Sequence, residues 1–131
     1  VLFAEFGREH GGAVFFGVPG NPVSTAVGMR FFVEPYLRST LELEREWPIR
    51  AKLARELAKP EGLRCFFKGR AKLGTGGLEV EALKGQASYV VSALLEANCW
   101  VTLLEAGDRV ASGAEVEIFP LHNSFEPGVL S

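Results

Sequence analysis

The residues best suited to chemistry form the run Gly17-Val18-Pro19-Gly20-Asn21-Pro22-Val23-Ser24. An apolar run ends at Val18. Gly20 permits a tight turn or a close backbone approach, and Asn21 is a favoured helix N-cap. Pro22 then takes the first helical position, where its missing N–H costs little. The N–H groups of Val23 and Ser24 would point out of the helix start with the helix dipole behind them, which makes a place for an anion. In an open parallel sheet this turn would also lie at the carboxyl ends of the strands, where ligands bind. The same residues also make a stiff strand-to-helix turn with no ligand. They match neither a Walker loop nor a dinucleotide fingerprint.

A second polar cluster is Gly85-Gln86-Ala87-Ser88-Tyr89, leading to Ser92 and Asn98. It can offer a hydroxyl and an amide to a ligand, or Ser88 can simply cap a short helix. Lys68, Arg70 and Lys72 share one side of a strand by their period of two. That stripe can meet a phosphate-rich ligand or face water. Cys65 and Cys99 fit no zinc spacing and are too few for a disulfide framework, so both are expected as reduced, buried thiols. His10 and His122 are expected on the surface, and no Ser/His/Asp or Cys/His arrangement is supported. Asp108 is the lone aspartate among 16 acidic residues, and there are two His and two Cys. No metal-ligating residues are therefore assigned.

The elements that must position these groups follow from patterning. Val1–Phe6 and Ala13–Val18 are apolar runs separated by the loop signal His10-Gly11-Gly12. Ala13–Val18 lacks polar alternation, which predicts a strand buried on both faces, as in a parallel sheet. Val23, Ala26, Val27, Phe31 and Leu37 recur at helical spacing, and Pro35 should kink the helix or end it near Glu34. Beyond Pro48 the pattern turns to β. Strands are expected within Ile49–Leu57, Leu63–Leu73, Leu78–Leu83, Cys99–Leu104 and Glu115–Pro120. Gly74-Thr75-Gly76-Gly77 gives a hairpin signal. Glu79 and Glu81 would set an acidic strand face beside the basic one. A short helix is expected over Val90–Ala97, and residues 122–131 read as a frayed tail. Five short strands and one short helix suggest a small barrel or sandwich.

Composition bounds the function. The 131 residues are 47% hydrophobic and 23% charged, with a net charge of -2. This excludes a mainly disordered chain and argues against a nucleic-acid or anionic-membrane binder. No apolar run approaches a spanning helix, and no signal core follows Val1. The chain begins without Met and reads as a piece of a longer protein. Charge is uneven: residues 1–44 carry 3 basic and 5 acidic side chains, residues 45–73 carry 9 and 3, and residues 74–131 carry 2 and 8. The asymmetry suggests two pieces. They are an α/β piece over 1–46 and a small all-β domain over 47–121, with the tail after them.

Four blocks in order resemble the MoeA/gephyrin family of molybdopterin molybdenumtransferases. Residues 13–37 carry GVPGNPVS, close to the family's G-L-P-G-N-P-V-S, before a Phe-rich helix and Pro35. Gly62–Gly69, GLRCFFKG, is similar to the family's G-R-x-x-F-x-R-G strand, with Lys68 in place of Arg. Residues 85–99, GQASYVVSALLEANC, resemble Q-G-S-H-x-x-S-S-x-x-x-A-N, with Ala87 for Gly and Tyr89 for His. Gly113–Pro120 is similar to G-x-x-V-E-V-x-P. The resemblance implies the end of a molybdopterin-binding, parallel-sheet α/β domain followed by a complete small β-barrel. It implies insertion of molybdenum from molybdate into adenylylated molybdopterin, with AMP released and Mg2+ held by residues outside this chain. It also implies a cytoplasmic homodimer whose active cleft joins the α/β domain of one subunit to the barrel of the other. Pro19, Gly20, Asn21, Pro22 and Ser24 would belong to the cofactor-binding loop, with Lys68 a further cofactor-binding candidate. Ser88 would be the barrel's catalytic contribution, and these residues alone would be inactive. In the gephyrin branch the corresponding region also grips receptor peptides, which leaves an interaction module as the alternative.

Overall fold

The computed structural model describes residues 1–87, 90–121 and 128–129 of the chain. They form two compact units, Val1–Glu46 and Trp47–Ser131.

In the first unit, β1 (Leu2–Glu5) and β2 (Val14–Gly17) pair antiparallel, with Leu2 opposite Gly17 and Glu5 opposite Val14. This corrects the parallel pairing expected of Ala13–Val18. The connection is a short loop with one 3-10 turn, Arg8–His10, closed by Gly11 in the left-handed region. So short a link suits a hairpin, whereas a parallel crossover needs a dozen or more residues. Nor is β2 buried on both faces, because Phe15 is 50% exposed. On the other face Phe16 packs against Phe3 and Tyr36, with ring centroids 5.2 and 5.3 Å away. These contacts fasten the helical segment to the hairpin.

That segment starts as α1 (Pro22–Gly28), widens into a π-helical turn at Met29–Val33 and continues as α2 (Glu34–Thr40). Pro35 neither ends the helix nor breaks it. It lacks an N–H and its ring crowds the carbonyl four residues back. The chain accommodates this by the wider turn, in which the Glu34 N–H reaches Met29 O. The Arg30 guanidinium grips Glu46 at 2.6 and 2.8 Å and Glu34 at 2.8 Å. This ties the 42–46 segment back onto the helix. Burial works against the Arg30 charge, but the two carboxylates outweigh it and raise its pKa.

The second unit is a closed five-stranded barrel. Its strands are β3 (Ile49–Leu53), β5 (Cys65–Gly74), β6 (Gly77–Ala82), β7 (Cys99–Leu103) and β9 (Glu115–Pro120). Around the barrel the order is β5-β6-β3-β9-β7, and β7 closes on β5. Only the β3–β6 pairing in this ring is parallel. β5 serves two neighbours in turn: Cys65–Gly69 pair with β7, and Gly69–Gly74 pair with β6. Inward-facing Leu53, Ala71, Val80, Cys99, Val101 and Ile118 form the core. Gly69 sits where β5 changes partner, and a Cβ there would lie 2.7 Å from Val101 Cγ2. Glycine is required by the crowding of the barrel wall.

The predicted apposition of basic and acidic strand faces holds in register: Arg70 lies opposite Glu81 and Lys72 opposite Glu79. The β3–β9 pairing also sets opposite charges together, with an Arg50–Glu115 ion pair at 2.7 Å. The barrel's exterior charge is therefore largely self-compensating. Three expectations need correction. The loop between β7 and β9 contains β8 (Arg109–Val110), which pairs with β4 (Leu57–Ala58). Gly128–Val129 (β10) is paired, parallel to Lys72–Leu73 of β5, rather than frayed; the rest of 122–131 lies outside the described residues. The helix expected over Val90–Ala97 is only α3 (Ala93–Glu96), with Ser92 at the capping position. The Val90 and Leu94 N–H groups instead close four-residue turns onto Ala87 O and Val91 O. Among the described residues no helix is long and apolar enough to cross a membrane.

Candidate functional site

Pro19 to Ser24 form one contiguous turn between β2 and α1. Asn21 has extended backbone dihedrals, and its Oδ1 accepts from Val23 N at 3.2 Å, so it is the N-cap that its place before Pro22 predicts. The Val23 N–H is thus satisfied from within the chain. Thr25, which patterning did not single out, is the other fastener. Its hydroxyl bonds to Pro19 O and lies 2.9 Å from Asn21 O. The available signal was a threonine four residues after the cap, positioned for back-bonding to the i−4 carbonyl. Gly20 does not adopt the left-handed region, and a Cβ there would meet nothing within 4 Å. Neither the turn nor its packing demands glycine at this place, which leaves its backbone open to close approach.

In the barrel unit, Lys68 is placed otherwise than the basic stripe suggests. It shares an outward row with Arg70 and Lys72, but it is 1% exposed while Arg70 faces water. Burial lowers its pKa. The ammonium donates to Ala87 O and Val90 O, each at 3.1 Å. Ser88 and Tyr89 lie outside the described residues; the nearest described residues on either side, Ala87 and Val90, are the two that Lys68 holds. Gln86, a candidate for presenting its amide to a ligand, uses that amide on backbone. Its Oε1 accepts from Lys68 N at 2.8 Å, and its Nε2 donates to Lys68 O and Leu83 O at 2.8 and 2.6 Å. Asn98 does the same on the other edge of β5, pairing with Ala71 N and O at 2.7 and 2.9 Å. Each side-chain amide extends a ladder past the end of a neighbouring strand.

The segment after β6 also borders a cleft of about 330 Å³ walled by Glu81, Leu83, Lys84, Val90, Ser92 and Glu96. Cys99 is buried, but Cys65 is only half-buried, which corrects the expectation for that thiol. The surface placements expected of the His10 and His122 side chains fall outside the described residues. Among the described residues no three His, Cys, Asp or Glu gather to hold a metal.

Comparison with known proteins gives these features a setting. The family profile "MoeA C-terminal region (domain IV)" matches residues 50–121. A molybdopterin molybdenumtransferase of Synechococcus elongatus is 37% identical over 118 residues, covering 90% of this chain and 28% of that protein. One from Haemophilus influenzae is 30% identical over 116 residues, covering 85% of this chain and 28% of that protein. The solved molybdopterin biosynthesis moeA protein of Pyrococcus horikoshii superposes with a TM-score of 0.65 at 24% identity, over 86% of this chain and 27% of that one. At that identity it speaks to the fold alone. The chain spans little more than a quarter of the length of these relatives.

Proposed function

The chain belongs to the family of MoeA C-terminal regions, and from that membership we propose that it is part of an enzyme of molybdenum cofactor biosynthesis that inserts molybdenum from molybdate into adenylylated molybdopterin. The observation that carries this reading is the 37% identity over 90% of the chain to a protein named for molybdenum transfer to molybdopterin. In this reading Val1–Glu46 is the end of a molybdopterin-binding α/β domain, the barrel is the fourth domain, and the whole protein is a cytoplasmic homodimer.

The chain's own part in the chemistry is binding and orientation. Pro19, Gly20, Asn21, Pro22 and Ser24 hold the anionic substrate. The Asn21–Val23 and Thr25–Pro19 hydrogen bonds keep the turn rigid, and Gly20 lets phosphate or molybdate oxygens approach the backbone. Ser88 supplies a hydroxyl from the barrel. The described residues do not suit Mg2+, because no acidic cluster gathers among them. On this reading the Mg2+ ligands lie elsewhere in the protein. On this reading the 131 residues alone are inactive.

The test is calorimetric titration of the full-length protein with molybdate in the presence of molybdopterin. The wild type should show saturable binding. Asn21→Asp should weaken it by at least about tenfold, since a carboxylate in the turn repels the oxyanion. Equal binding by both proteins would remove the turn from the site.

A further inference from the structure

Lys59 directly follows β4 and is only 5% exposed, although a lysine normally keeps its ammonium in water. A buried charge persists only where polar partners stand in for water. Here the ammonium donates to Pro60 O at 3.0 Å and to Leu63 O and Glu105 O at 3.1 Å each. Three acceptors thus match its three N–H groups. All three are backbone carbonyls. The Glu105 carboxylate turns instead to Arg64, 3.3 Å away. Carbonyl oxygens that converge on one point are also what replaces the hydration shell of a potassium ion.

The carbonyls come from two loops just past the seam where β7 closes on β5. Cys65 and Leu103 are the last pair of that seam. Pro60 and Leu63 precede β5, and Glu105 follows β7. Two backbone bonds run beside the ammonium: Gly62 N–H donates to Glu105 O at 3.0 Å, and Lys59 N–H donates to Asp108 O at 2.8 Å. The Glu105 carbonyl therefore serves both the ammonium and the Gly62 amide.

We propose that Pro60 O, Leu63 O and Glu105 O form a site for a monovalent cation of ammonium or potassium size, which the chain fills with its own Lys59, and that the filled site holds the two loops together at the end of the seam. Arginine does not suit this place, because its donors are spread over a planar fork rather than set around one atom. Methionine fills the room of the stem without a charge. Alanine removes the stem and leaves the carbonyls open to an ion from solution. The proposal is independent of the assignment of the substrate site.

The test follows amide exchange at Gly62 in the full-length protein. Wild type, Lys59→Ala, Lys59→Met and Lys59→Arg are compared in choline, potassium and ammonium chloride at equal ionic strength. Wild type should exchange slowly and alike in all three salts. Lys59→Ala should exchange about tenfold faster or more in choline, and potassium or ammonium should return it, saturably, to within about threefold of wild type. Lys59→Met and Lys59→Arg should stay fast in every salt. Slow exchange in Lys59→Ala in choline, equal exchange by that variant in all three salts, a Lys59→Met variant that responds as Lys59→Ala does, or a Lys59→Arg variant as slow as wild type would each overturn the proposal. If Lys59→Ala does not fold in choline, recovery of its fold in potassium or ammonium is the expected result, and failure in all three salts overturns the proposal.

Discussion

Cys99 shows at the scale of one residue what the barrel interior does to a titratable group. It is fully buried, and burial pushes its thiol from 9.0 up to about 12, against a smaller opposing effect of a backbone hydrogen bond from Ala71. The unfolded thiol ionises first as pH rises. Its contribution to stability is therefore complete below about pH 9 and is lost between 9 and 12, by about 1.4 kcal/mol per pH unit at most. Denaturation curves measured from pH 8 to 11 should show this loss in wild type and not in Cys99→Ala. In the native protein a thiol reagent should label Cys65, which is half-buried, and should reach Cys99 only on unfolding. The candidate site was unevenly legible at this scale. The roles of Asn21 and Pro22 could be read from the sequence because capping is a local matter of residue type and order. The fate of Lys68 could not. Period two says which side of β5 it occupies, but not that the carbonyls of Ala87 and Val90 meet its ammonium, which is a contact set by the tertiary fold.

At the scale of elements, β5 is the centre of the second unit because it changes partner at Gly69. Such a change leaves backbone groups unpaired where one neighbour stops, and side-chain amides fill the gaps. Asn98 pairs with both backbone groups of fully buried Ala71. Asn98→Ala should cost about 2–3 kcal/mol in chemical denaturation of the full-length protein, since a buried N–H and C=O lose their partners together. The core strands of the barrel were legible because alternation and turn residues are strong over short β segments. What escaped is physically of one kind. β4, β8 and β10 are two residues long, too short to carry a period. Antiparallel pairing of β1 and β2 depends on the loop between them and not on their apolar content. The π-helical turn is a response to Pro35 that keeps the helix going, where the sequence left a kink and an end near Glu34 both open.

At the scale of the molecule, the two units carry different parts of the proposed chemistry. On the proposed reading Val1–Glu46 contributes the Pro19–Ser24 turn, and Trp47–Ser131 contributes Ser88. The central claim is that the turn exists for a ligand and not only for the fold. Gly20 separates these alternatives, because a Cβ there would meet nothing within 4 Å and its backbone is not left-handed. A methyl group should leave folding alone while obstructing a ligand that approaches the backbone. The deciding measurement is molybdate-dependent insertion of molybdenum into adenylylated molybdopterin by the full-length protein, with Gly20→Ala beside wild type and the melting temperature of each recorded. The account predicts that wild type converts the substrate, and that Gly20→Ala melts within about 2 °C of it yet converts at least about tenfold more slowly. No conversion by wild type, or equal conversion by the two proteins, would contradict it.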